Sequence, residues 1–266
     1  MPFLLQQAAV VHATPETLNP EPKTFKFIAF AMKIKEIAGS VVAPKGFLAG
    51  GVFSNIKKLG TGKGSDKGQK RDLALIVSEM PATAAGLFTT NQICAAPVKI
   101  SMAHLRNRGA RAIVANSGNA NACTGKQGLR DAKAMAETAG RELNIAPGNI
   151  FVGSTGRIGL SMPMDNVRRG IVAAVKVLGN SAEHADHAAE AIMTSDTRPK
   201  QIAVEFVLGK KTVRIGGMCK GAGMIQPGMS PTGKRPATQP LHATMLCFLT
   251  TDAAVDAKVL QTALNE

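Results

Sequence analysis

The chain has 266 residues, 45% of them apolar, and a formal net charge of +14. That is enough for one large domain or two smaller ones around a real core. Tyr and Trp are absent and aromatics make up only 4%, which argues against a nucleic-acid binder that stacks bases on rings. No run approaches the roughly 20 apolar residues of a membrane span.

Residues 1–31 lack the charged start of a signal peptide and any periodic pattern, so they read as a disordered extension or a misassigned start. Met32 then opens MKIKEIAGSVVAPKGFLAGG, which reads as the start of a folded domain. Residues 57–71 carry six Lys or Arg against one Asp. They are Gly-rich with no apolar period, the pattern of a solvated basic loop.

Short apolar strands then alternate with helices. DLALIVSE (72–79) and AAGLFTT (84–90) read as two strands joined through Pro81, and APVKIS (96–101) as a third. RAIVANSG (111–118) reads as a buried strand that runs into the polar loop NSGNANACTG. Leu129, Ala132, Met135, Ala136, Ala139 and Leu143 fall on one face of a following helix. IFVGST (150–155) is a strand that ends at the turn STGRIG.

Pro163 opens the next helix, where its missing N–H costs nothing, with Met164, Val167, Ile171, Val175 and Leu178 as the buried stripe. Ser181 is placed to cap an Ala-rich helix running to Met193. IAVEFVL and TVRIGG flank Gly209-Lys210 as a hairpin. ATMLCFLTTDAAV (243–255) reads as a last strand, and a short helix begins near Asp256. The fold class is α/β, or α+β with mixed sheets.

Cys94, Cys123, Cys219 and Cys247 are widely spaced with no CxxC, so neither a zinc site nor a disulfide framework is expected. No metal site is assigned: His184 and His187 lie three apart on a helix but have no further ligand. A reducing, cytoplasmic compartment follows as the default. GTGKGSD and CTGKQG lack the GxxxxGK[ST] spacing of a phosphate loop.

Two features point to acyl chemistry. Thr244 stands behind the small Ala243 at the entrance to an apolar strand. A Thr hydroxyl is a poor nucleophile without a base. Cutting the preceding peptide bond supplies one, because the freed α-amine has a reference pKa of about 8. The STGRIG turn can aim the Thr155 hydroxyl and the Gly156 N–H at one point, as an oxyanion hole requires.

Several stretches together resemble the bifunctional ornithine acetyltransferase (glutamate N-acetyltransferase, ArgJ) family of arginine biosynthesis. They are VAPKGFLAGGV (42–52), DLALIVSEMPATAAGLFTTN (72–91), VANSGNANACTGKQG (114–128), STGRIG (154–159), AEAIMTSDTRPK (189–200), IGGMCKGAGMI (215–225) and ATMLCFLTTDAAV (243–255). The resemblance implies a layered, DmpA/ArgJ-like α/β/α fold. It also implies a precursor that cleaves itself between Ala243 and Thr244, leaving 32–243 as an α-chain region and 244–266 as the start of a β chain. Thr244 would take acetyl from N²-acetylornithine and pass it to glutamate in a ping-pong scheme. No cofactor is implied, though many members accept acetyl-CoA as donor. Thr155 and Gly156 would form the oxyanion hole, and Lys220, Thr244 and a Thr of MTSDT, Thr194 ahead of Thr197, would contact substrate. The usual assembly is an α2β2 heterotetramer.

Two departures stand out. The family continues well beyond this C-terminus, so the chain reads as truncated or as one piece of a split gene. SPTGKRPATQPLH (230–242) is an insert just before the expected scissile bond. The rival readings are a related N-terminal-nucleophile aminopeptidase, a non-catalytic remnant or subunit of the family, and a basic nucleic-acid module.

Overall fold

In the computed structural model, residues 7–13, 33–57, 70–107, 109–222, 229–230 and 245–265 are described. Ten strands form one sheet with the order β2-β7-β8-β10-β1-β4-β5-β6, and β3 and β9 pair with β4 off that path. The strands are β1 (Gln7–Ala13), β2 (Lys35–Ile37), β3 (Phe47–Val52), β4 (Leu73–Thr89), β5 (Gly109–Asn119), β6 (Ile150–Arg157), β7 (Lys200–Leu208), β8 (Lys211–Lys220), β9 (Met229–Ser230) and β10 (Leu246–Thr251). The helices are α1 (Ala96–Leu105), α2 (Gly125–Leu143), α3 (Met164–Lys176), α4 (Ala182–Ala191) and α5 (Ala257–Asn265). Apart from β1, residues 1–31 lie outside the described residues. Among the described residues, no helix is long and apolar enough to cross a membrane.

Alternation along β4, β5 and β6 makes the layers, because successive side chains point to opposite faces. Leu73, Leu75, Val77, Val114, Ile150 and Val152 pack on one face against Met135 and Ala139 of α2 and Val167 and Ile171 of α3. Ala74, Ile76, Ile113 and Phe151 point the other way, into a core shared with Phe47, Ala188, Ile192, Met218 and Phe248. The result is helices on one face of the sheet, and α4 with strand-derived apolar residues on the other. Two-sided burial explains why these strands are near-continuous apolar runs.

The sequence expectations change at three places. Residues 7–13, read as part of a disordered extension or misassigned start, form β1, paired between β10 and β4. The two strands expected on either side of Pro81 are one 17-residue strand, β4. Its pairing with β5 shifts register between Val77 and Ala82, and Pro81 sits in that irregularity, where a missing N–H is tolerated. The first half of β4 pairs with β3 and the second with β1 and β9, so this strand ties the sheet together.

The strand expected at APVKIS is instead α1. Pro97 lies in its first turn, where proline is compatible with helix. Val98 and Ser101 are buried and Leu105 is partly buried, which is a helical spacing that a window ending at Ser101 does not reach. The helix covers the β6 edge. Ser101 Oγ donates to Val152 O at 3.0 Å and accepts from Val152 N at 2.9 Å. His104 Nδ1 lies 2.7 Å from Ile150 O. An edge strand's open backbone groups thus find partners on a helix.

Gly51 in β3 lets α4 lie directly on the strand, since a Cβ there would sit 2.0 Å from His187 O. Main chain cannot yield as a flexible side chain does, so Gly51→Ala is expected to cost about 2 kcal/mol. A urea-unfolding midpoint close to wild type would refute this.

Candidate active site

The parallel strands β5 and β6 both end in left-handed glycines, Gly118 at φ 100° and Gly156 at φ 130°, which are register partners. A Cβ on Gly156 would come within 2.4 Å of Gly118 C, and one on Gly118 within 2.7 Å of Lys57 Cα. Three backbones therefore meet where no side chain fits.

The polar residues of NSGNAN hold this meeting point. Asn116 accepts from Ser154 Oγ at 2.6 Å across the two strands. Asn119 Nδ2 donates to Leu160 O and Ser161 O, which pins the loop after the STGRIG turn. Ser117 Oγ donates to Ala191 O at 2.5 Å, fixing the end of α4 from which MTSDT departs. Beneath them, buried Asp72 accepts the N–H groups of Ser54 (2.6 Å), Ile56 (2.6 Å) and Lys57 (3.0 Å). Burial pushes the Asp72 carboxyl up, and those N–H groups pull against that rise.

A cleft of about 660 Å³ opens above the glycines, bordered by Lys57, Gly156, Arg157, Glu190, Thr194 and Thr197. Lys220, at the end of β8, is buried behind Thr194 of the cleft wall. Its Nζ donates to Thr194 Oγ1 at 2.5 Å and Thr155 Oγ1 at 3.2 Å. The structure thus joins Thr155, Thr194 and Lys220, with Gly156 beside them. Thr197 borders the same cleft but is exposed. Ala243 and Thr244 lie outside the described residues. Leu246, two residues after Thr244, pairs in register with Lys220.

Two groups escaped the sequence reading. Asp196, whose side chain is 1% exposed, lies 3.9 Å from Lys220 Nζ through Oδ2. Its Oδ1 accepts from Lys200 Nζ at 2.6 Å and Gly221 N at 2.8 Å, and its Oδ2 from Thr194 N at 3.1 Å. Burial acts to raise its pKa, but the Lys200 bond, the Gly221 and Thr194 N–H groups and the Lys220 charge together leave the carboxyl below its ordinary range. The signal was available, since Asp196 is the only carboxylate in MTSDTRPK.

Lys57 is the other. It was assigned to a solvated loop, yet it is 5% exposed, and Lys57 Nζ donates to Arg71 O at 2.6 Å. Burial draws its ammonium down to about 8 against the pull of Asp72 and Glu190. Arg71, at the loop's other end, pairs with Glu190 at 2.7 Å. Residues 58–69 of that loop lie outside the described residues, as do 231–242 of the insert. Among the described residues, no cluster of three or more His, Cys, Asp or Glu could hold a metal ion.

A mixed α/β scaffold thus gathers strand-end hydroxyls, a left-handed glycine and a buried ammonium beside a cleft, an arrangement of donors that suits an anion. Residues 58–266 match the ArgJ family, and the chain belongs to that family. It is similar to the arginine biosynthesis bifunctional protein ArgJ of Symbiobacterium thermophilum, 49% identical over 86% of this chain and 52% of the relative. It is also similar to the glutamate N-acetyltransferase of Methanocaldococcus jannaschii, 44% identical over 88% of this chain and 52% of the relative. The chain therefore spans about half the length of the curated relatives it matches.

Among solved structures, ArgJ of Bacillus halodurans superposes with a TM-score of 0.69 at 35% identity, covering 76% of this chain and all of that one. Ornithine acetyltransferase of Mycobacterium tuberculosis, solved with ornithine, gives 0.68 at 38% identity, covering 74% and 100%. These matches bear out the family resemblance and the α/β fold class.

Because the folded-state pKa of Asp196 is depressed, its stabilising contribution is present above the unfolded carboxylate value of about 4. That contribution is lost as pH falls through the lower folded value. Asp196→Asn should therefore lower Tm at pH 7, and the gap from wild type should shrink below about pH 4. A gap constant with pH would refute the charged role.

Proposed function

We propose that this chain carries the acyl-accepting half of an ornithine acetyltransferase (glutamate N-acetyltransferase) site. The carrying observation is the convergence of Lys220, Thr155 and Thr194 on one point. Thr244 is bound to Leu246 through Met245, and two residues span at most about 7 Å. Leu246 is the register partner of Lys220, and this short connection in sequence supports the choice of Thr244 as the acyl acceptor.

In this reading the precursor cleaves between Ala243 and Thr244. This frees the Thr244 α-amine to take the proton from its own hydroxyl. Thr244 Oγ1 attacks the acetyl carbonyl of N²-acetylornithine, and the oxyanion is met by the Thr155 hydroxyl and the Gly156 N–H. The carbon–nitrogen bond breaks, the amine takes up a proton, and ornithine leaves. The amine of glutamate then attacks the acetyl-Thr ester, giving N-acetylglutamate and restoring the hydroxyl. Lys220, with Thr194, holds the substrate carboxylate, and Thr197 borders its path. Acetyl-CoA would serve as an alternative donor at the same Thr. No resident cofactor takes part.

The solved ArgJ chain is matched along its whole length, whereas the curated relatives are matched over about half of theirs. A family protein divided into two chains has this pattern, which supports a cut. The boundaries proposed here are 32–243 for the α chain and 244 onward for the β chain, in an α2β2 assembly working in the cytoplasm. The activity would belong to this chain together with the polypeptide that matches the rest of its relatives' length.

Thr244→Ala is expected to leave the polypeptide uncut on SDS gels and to abolish acetyl transfer from N²-acetylornithine. An intact bond in a fully active preparation would refute the scheme. Lys220→Met should raise KM for glutamate at least tenfold, the loss of one charged hydrogen bond; an unchanged KM would remove Lys220 from carboxylate binding.

A further inference from the structure

We propose that Asp196 is the positioning residue of this site, holding Lys220 as an ammonium between Thr155 and Thr194 so that a fixed cation stands directly behind the cleft wall for a substrate carboxylate. The proposal rests on the carboxylate-binding role given to Lys220 above, and it names the group that makes that role possible.

Lys220 is 5% exposed and the Asp196 side chain 1%. An ammonium so placed loses most of its hydration and needs a compensating charge. Burial lowers its pKa, Asp196 works against that fall, and Lys200 adds to it. Its two hydrogen-bond acceptors, Thr155 and Thr194, are neutral. Among the described residues, Asp196 is the only carboxylate paired with Lys220. Glu190, Lys57 and Arg157 face the same cleft from other elements.

Asp196 is also fixed independently of Lys220. Gly221 N anchors it to the residue after Lys220, Thr194 N to the residue whose hydroxyl accepts from Lys220, and Lys200 Nζ to the start of β7. One carboxylate therefore sets the positions of both Lys220 and Thr194.

The charges do not cancel within the cluster. Lys220 and Lys200 bring two positive charges and Asp196 one negative, leaving one net positive charge, with Lys220 and Asp196 buried and Lys200 partly in solvent. A second carboxylate, supplied by the substrate, balances it. Both acetyl donor and acceptor in the proposed reaction carry an α-carboxylate. One fixed cation would therefore serve both half-reactions, with Asp196 preventing Lys220 from losing its proton between them.

The role gives opposite signs for two variants. Asp196→Asn removes the charge that keeps Lys220 protonated. Lys200→Gln removes a competing cation and frees Asp196 for Lys220. Trace acetic anhydride labelling of the full chain across pH, read by mass spectrometry and normalised to the exposed Lys176, follows the unprotonated fraction of Lys220. Asp196→Asn should label Lys220 about tenfold faster near neutral pH, as expected for removal of an opposite charge at this range. Lys200→Gln should label it more slowly than wild type.

No change in either variant, or a change of the same sign in both, would overturn the role of Asp196. If Asp196→Asn does not fold, Lys200→Gln decides alone: slower labelling supports the proposal and unchanged or faster labelling overturns it. Opposite shifts in an assembled enzyme that transfers no acetyl group would refute the acetyltransferase reading while leaving the Asp196–Lys220 coupling in place. Acetyl transfer without the shifts would refute the coupling alone.

Discussion

Everything at the site depends on the contact between the ends of two parallel strands, where Gly118 and Gly156 bring their backbones together with no Cβ between them. The same contact receives a third backbone at Lys57, held by the Asp72 carboxylate. Close approach of this kind turns strand ends into a rigid rim from which N–H groups and hydroxyls can be aimed. Rigidity matters because donors that need not reorganise stabilise developing charge most effectively. In the proposed reaction the two left-handed glycines would serve the site's chemistry as well as its turns.

The polar residues around that rim are spent mainly on architecture. Asn116, Ser117, Asn119 and Ser154 are buried, and their side chains bond to one another or to main chain. They anchor the STGRIG loop and the end of α4, so the two segments that furnish Thr155 and Thr194 are held by one network. A buried network fully satisfied in this way specifies one arrangement. Lys220 then arrives from a third element, β8. Its neighbour across the sheet, Leu246 of β10, begins two residues after the proposed nucleophile.

Charge is distributed to match. The composition is strongly basic, but the described part of the site places its cations individually. Lys220 and Lys200 share Asp196, Arg71 shares Glu190, and Asp72 holds the main-chain N–H of Lys57, whose ammonium donates to Arg71 O. Each carboxylate thus fixes the position of a basic residue near the cleft. A flexible basic surface would give long-range attraction; these pairs give position.

Local sequence determined much of this protein. The apolar periods announced β5, β6, α2, α3 and the β7–β8 hairpin, because burial on one or both faces imposes its repeat on the residues themselves. Thr155 and Gly156 stood out because a strand-end turn with hydroxyls and glycine is visible as a string, whereas Lys220 and Thr194 came from the family resemblance alone. Tertiary structure alone decided the rest. APVKIS became a helix because its buried residues recur at a helical spacing and because the β6 edge offered Ser101 and His104 partners, neither of which shows within six residues. The strands on either side of Pro81 became one because four neighbouring strands pair along it. Asp196 and Lys57 acquired their roles from residues as far away in sequence as Lys220 and Gly118. A carboxylate or an ammonium carries no mark in the sequence of whether it will lie in water or beside a charge brought from another strand, and that difference in environment is what sets its protonation and its use.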